Sequence, residues 1–281
     1  MSGRVSAASQ ILSYHASESQ PQPNRRSMNN AFFSLALLAI LTAPVALAQI
    51  SYTSGNYTQN FDGLANTGTG ITWTNNSTLP GWFSDETDYD AGTGSLTTGS
   101  LYSFGAASAS DRALGSLASG GTGTNLFGLA LRNAGASTLT SFTLSYDGEQ
   151  WRRNDNDPQR TEFLQFSYQI FNTGAGSING GTWTTVSALN FTSPNATLTT
   201  ASALDGNASA NRTANITSTV SSISWGAGQD LWIRWSDINS TGNDHGLAVD
   251  NLTFSSVPEP SVALSLLSGF GLLALLRRRV S

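Results

Sequence analysis

The stretch Thr161–Phe171 reads TEFLQFSYQIF. Leu164, Phe166, Tyr168 and Ile170 fall on every second position, and Gln165, Ser167 and Gln169 stand between them. A period of two sends alternate side chains to opposite faces of an extended strand, so this is a strand with one buried face. Thr140–Tyr146 repeats the pattern through Phe142, Leu144 and Tyr146. Further strands are predicted over Ile50–Phe61, Leu126–Leu131, Thr182–Leu189, Ile216–Ile223, Leu231–Ser236 and Leu247–Phe254. Turns rich in Gly, Asn, Asp and Ser separate these runs, and no amphipathic helix interrupts them. The pattern predicts an all-β chain, a single antiparallel β-sandwich or jelly roll over residues 49–256. No strict repeat period is present, which argues against a solenoid or propeller.

Composition narrows the class. The chain has no cysteine, so its fold rests on burial without disulfides. It has no lysine either; all thirteen basic residues are arginine. Between Gln49 and Ser256 sixteen acids face seven arginines, a balance of −9 that repels phosphate backbones and argues against nucleic acid as a partner.

Both ends differ from this body. Ala31–Gln49, AFFSLALLAILTAPVALAQ, is an apolar run closed by Ala46-Leu47-Ala48, the small-residue pattern of a signal-peptide cut before Gln49. Residues 1–48 thus form a leader containing a signal helix, with Arg25 and Arg26 as its basic region and Met28 as an alternative start. Residues 257–281 read VPEPSVALSLLSGFGLLALLRRRVS. The uncharged run Val262–Leu276 is fifteen residues, about 22 Å of helix. It spans a bilayer only if Arg277, Arg278 and Arg279 snorkel to the headgroups. Those arginines face the cytoplasm and place the preceding chain outside.

The order Pro258-Glu259-Pro260, apolar helix, arginine cluster resembles the PEP-CTERM sorting signal of exopolysaccharide-producing Gram-negative bacteria. The resemblance implies recognition by exosortase, an integral-membrane cysteine protease, after signal peptidase has acted at the other end. It also implies cutting near Pro-Glu-Pro and delivery to the envelope or beyond. Two prolines would keep that segment extended and accessible. A second resemblance covers the later half of the body. Phe127–Asn154, Leu189–Pro194, Ala203–Thr213 and Leu231–Phe254 are similar to a β-sandwich module recurrent in exported bacterial proteins, which implies the fold and no activity.

Two groups of side chains are candidates for chemistry. Asp147-Gly148-Glu149-Gln150-Trp151-Arg152-Arg153 sets an acid, an indole and guanidinium groups close together. Glu149, Trp151, Arg152 and Arg153 could stack on a sugar ring and bond its hydroxyls. Alternatively, Trp151 packs in the core and Glu149 pairs with Arg152 or Arg153 across strands. Asp85, Glu86, Asp88 and Asp90 are hard oxygen ligands in a glycine-bounded stretch, with Glu86, Asp88 and Asp90 on one face if that stretch is a strand. They make calcium the candidate cofactor, although the spacing is not that of an EF-hand; a solvated acidic loop is the other reading. Asn154–Asp157 and the set Asn243, Asp244 and Asp250 are weaker cation candidates.

Catalysis finds little support. His245 is the only histidine after Gln49, so a histidine metal triad is excluded and a Ser-His-Asp triad would have to use it. Its position before a strand suggests a structural ring bonded to Asp244 or a carbonyl. No phosphate-binding glycine loop occurs. The expected function is therefore a non-catalytic binding or structural module of the cell surface, with surface polysaccharide as candidate ligand and a carbohydrate-active enzyme as the alternative.

Overall fold

The computed structural model describes residues 49–153, 161–196 and 200–258. The first strands are short: β1 (Ile50–Tyr52), β2 (Asn56–Gln59), β3 (Ile71–Thr72), β4 (Trp82–Ser84), β5 (Asp88–Gly92), β6 (Ser100–Phe104) and β7 (Ala113–Leu117). Longer ones follow, β8 (Asn125–Asn133), β9 (Leu139–Arg153) and β10 (Phe163–Phe171). After β11 (Thr184–Thr185) come a 3-10 turn (Ser187–Leu189), β12 (Phe191–Thr192) and β13 (Ser202–Ala203). The last three are β14 (Arg212–Trp225), β15 (Asp230–Asp237) and β16 (Gly246–Pro258).

These strands form two sheets. The smaller runs β1-β8-β15-β10-β11, with β4 added on β8 and β12 on β10. The larger runs β13-β9-β16-β7-β6-β5-β3, with β14 added on β9 and β2 on β16. One apolar core lies between them. The smaller sheet supplies Phe127, Leu129, Leu164, Phe166, Ile233 and Trp235; the larger supplies Phe142, Leu144, Tyr146, Val249 and Phe254. The rings meet across the gap: Tyr146 stands edge-on to Trp235 at 5.2 Å and Phe142 edge-on to Tyr168 at 5.4 Å. The chain is therefore an all-β sandwich in its described residues, and the alternation in TEFLQFSYQIF is the cause: Leu164 and Phe166 are fully buried, while Phe163 on the other face is 41% exposed.

The sheets are not wholly antiparallel. β1 pairs β8 and β5 pairs β6 in parallel, which corrects the expectation. The predicted strand Ile50–Phe61 is two strands broken at Thr53–Gly55, where Gly55 takes φ +80°. β6 and β7 escape sequence reading because every residue in both is buried. Their second face is covered by a small outer core of Tyr102, Phe104, Ala113, Leu117, Trp151 and Ala248, so the polar half of the alternation is missing. At the end of the sandwich β16 continues to Pro258, still paired with Leu139, two residues past the predicted domain boundary. Ala46, Ala48, Glu259, Pro260 and Arg277–Arg279, with the two predicted flanking helices, lie outside the described residues, as do Asn154–Asp157.

Candidate functional site

The outer face of the smaller sheet carries a cleft. Alternation along β15 points Trp232 and Arg234 away from the core, and β4 brings Phe83 beside them. Two segments wall this floor. One is the link from β4 to β5, Ser84–Thr87; the other is Gly176–Asn179 in the connection from β10 to β11. Between them lies a cavity of about 370 Å³, which Trp73 and Asn75 also line.

Hydrogen bonds hold both walls. Asn75 Oδ1 accepts from the Trp73 indole at 2.7 Å and from the Ser84 amide at 2.7 Å. Asp85 Oδ1 accepts the Leu126 amide at 2.7 Å, and Ser84 Oγ accepts the Glu86 amide at 3.1 Å. Opposite, Arg234 donates to the Ile178 carbonyl at 2.6 Å while its guanidinium lies 4.0 Å over the Trp183 ring. Gly176 passes so close to Trp232 that a Cβ there would collide with the indole. Beneath this crossing, Trp232 Nε1 is buried without a hydrogen-bond partner.

The cleft is acidic on one wall. Burial raises the Asp85 carboxyl above the usual range, with the Leu126 amide and Arg234 opposing. Glu86 is raised by burial and then by the neighbouring charges of Asp85 and Asp88. Of the four acids predicted as calcium ligands, Asp85 and Glu86 therefore face this cleft. Glu86 precedes β5 and Asp88 lies exposed on it, while Asp90 is buried and accepts the Gly70 amide at 2.7 Å. Among the described residues, no three histidine or acidic side chains stand at metal-ligand spacing.

The other predicted group is internal. Trp151 is 2% exposed and lies parallel to Phe104 at 6.1 Å. Its Nε1 donates to Glu149 Oε2 at 2.8 Å. Arg152 reaches the Gly94 carbonyl at 2.8 Å, and Arg153 is fully buried. Glu149 and Trp151 are thus brought together, but as packed neighbours and not as an open stacking platform. The His245 ring meets Gln150 Nε2 through Nδ1 at 3.0 Å, where the sequence suggested Asp244 or a carbonyl.

Sequence reading missed Trp73, Trp232 and Arg234 as a group because Trp73 lies more than 150 residues from the strand that carries the other two. The available signal was the outward position of Trp232 and Arg234 within Leu231–Ser236, where alternation puts both opposite to Leu231, Ile233 and Trp235.

No family model matches the chain, and no curated protein matches it. Among solved structures, the CBM22-1 xylan-binding domain of Paenibacillus barcinonensis Xyn10C overlays with a TM-score of 0.34 at 10% identity, over 76% of this chain and 99% of that one. TmCBM61 in complex with beta-1,4-galactotriose gives 0.25 at 7%, over 54% and 74%. The arabinose-bound α-L-arabinofuranosidase MgGH51 gives 0.31 at 12%, over 74% of this chain and 29% of that one. All three overlays are loose, and no residue of theirs transfers to this chain.

Proposed function

We propose that this is an exported cell-envelope protein whose β-sandwich binds polysaccharide without catalysis, in the cleft over Trp232. The observation that carries the binding reading is the polar rim of that cleft: Ser84, Asp85 and Glu86 on one wall, faced by Ser177 and Asn179 on the other, above a close-packed aromatic base in which Trp232 is 2% and Phe83 8% exposed. Sugar hydroxyls are bound by a few fixed polar groups lining a concave site, which these two walls supply. Asp85 and Glu86 accept from hydroxyls, and their charge favours neutral over anionic glycans. Among the described lining residues both acids, Asp85 and Glu86, are on one wall; acid-base hydrolysis needs two carboxyls flanking the bond, and the cleft is read as a binding site on its polar rim alone.

Export and sorting are part of the same proposal. Gln49 is anchored to the sandwich, accepting from Arg132 Nη2 at 2.7 Å, so signal peptidase cutting before it removes none of the strands. Exosortase acting beyond Pro258 likewise leaves β16 whole. The full chain is expected to retain one or more neutral hexose or pentose oligosaccharides on a glycan array. Glu86→Gln should bind at least about tenfold more weakly, as loss of a hydrogen bond to a charged group does, and Asn179→Ala about two- to tenfold more weakly, the range for a neutral one. Binding unchanged in both variants would remove the cleft as the site. For sorting, replacing Pro258, Glu259 and Pro260 by alanine should leave a longer, membrane-held protein; unchanged size and release would contradict the exosortase reading.

A further inference from the structure

A second set of carboxylates lies on the outer face of the larger sheet, next to the small outer core. Strand register assembles it. Glu149 on β9 faces Ala248 on β16, and Asp250 faces Asp147, so Glu149 and Asp250 are diagonal neighbours on one face. Diagonal side chains of this length reach one another. Both are interior, Glu149 at 1% and Asp250 at 2% exposure. Each nevertheless has a carboxylate oxygen without a hydrogen-bond partner, Glu149 Oε1 and Asp250 Oδ1. A buried oxygen left so is costly, and two in one place with like charge are costlier.

Surrounding charges make the arrangement harder to hold without a counter-ion. Asp111 acts electrostatically on both carboxyls, Asp147 on Glu149, and Asp62 on Asp250. Arg212 is the cation acting on Glu149, and its Nη1 lies 3.8 Å from Asp147 Oδ2. Asn207 holds Asp111 at the rim by a 2.6 Å bond to Oδ2. Next to Asp250 in the chain, Asn251 lines an open polar cavity of about 430 Å³ together with Asn60; the carboxylates themselves are not among its lining residues.

We infer that Glu149 and Asp250 are the floor of a divalent-cation site of the calcium class, completed from the rim by Asp111. A hard cation accepts the two orphaned oxygens and cancels the repulsion that burial amplifies. The three carboxylates do not stand at ligand spacing in this structure, so binding would have to draw Asp111, exposed just before β7, toward Glu149 and Asp250. Oxygen ligands at flexible distances suit calcium better than magnesium, which demands a tighter octahedron.

The test is thermal melting of the full chain at pH 8 with calcium chloride or with chelator. Calcium in hundredfold excess over its dissociation constant should raise the melting temperature by about 5–10 °C. Glu149→Gln and Asp250→Asn should abolish that shift while melting at or above wild type in chelator, because each removes a buried charge. Asp111→Asn, on the exposed rim, should reduce the shift and keeps the test open if a buried variant does not fold. Identical wild-type melting in calcium and chelator overturns the site, as does a full calcium shift retained in the variants. A shift produced equally by magnesium overturns the calcium assignment.

Discussion

Two acidic regions of this molecule invite opposite readings in sequence and in space. Asp85–Asp90 packs four acids into six residues, yet half-buried Asp85 is already bonded to the Leu126 amide and buried Asp90 to the Gly70 amide. Glu149 and Asp250 are 101 positions apart, yet strand register brings them onto one face with an unsatisfied oxygen each. Density of acids along the chain measures solvation as readily as ligation. What marks a site is an acid whose burial is not compensated.

The largest effect expected from breaking this contrast is at Trp151, which touches Glu149. Trp151→Ala opens a cavity under Phe104 and should cost about 3–5 kcal/mol in urea unfolding whatever ligand is present. A wild-type-like transition would return the indole to the surface. Next is the calcium-linked stability of the buried pair, about 2.7 kcal/mol at a hundredfold excess over the dissociation constant. Glu149→Gln should remove it and Glu86→Gln should not.

The pH dependence without calcium is smaller per unit. Burial raises Glu149 to about 7 from 4.5, Asp250 to about 8 from 3.8 and Asp237 to about 7 from 3.8. Between the unfolded and folded values the folded chain binds more protons, so stability is fully present below about pH 4 and falls as pH rises toward 8. Each group contributes at most about 1.4 kcal/mol per pH unit. Glu149→Gln should flatten the slope between about pH 4.5 and 7, and a slope of opposite sign would mean that these carboxyls are ionised and compensated in the fold. The smallest effect belongs to Asp88→Asn, exposed on β5, which should stay within about 0.5 kcal/mol with or without calcium. A larger, calcium-dependent loss would restore the sequence-dense cluster as the ion site.

How much of this was legible follows from which face a residue serves. Leu164, Phe166, Phe142, Leu144 and Tyr146 were readable because each alternates with polar neighbours, and all five are core. Tyr102, Phe104 and Leu117 were not, since the outer core covers the face that normally carries the polar signal. The parallel pairs β1·β8 and β5·β6 join segments distant in sequence or linked by an irregular loop, for which periodicity holds no information. Trp151 had two readings in the sequence, and its bond to Glu149 inside the outer core is the packed one. The cleft over Trp232 and the Glu149–Asp250 pair both depend on register, which patterning limits but does not specify.

The two regions should separate cleanly in one paired measurement on the full chain: oligosaccharide affinity by tryptophan fluorescence and melting with and without calcium, each on wild type, Glu86→Gln and Glu149→Gln. The expected result is that Glu86→Gln weakens sugar binding about tenfold or more and leaves the calcium shift intact. Glu149→Gln is expected to lose the calcium shift and keep sugar affinity within about threefold of wild type when measured on folded protein. The account would be contradicted if the effects exchanged places, or if neither variant changed either property.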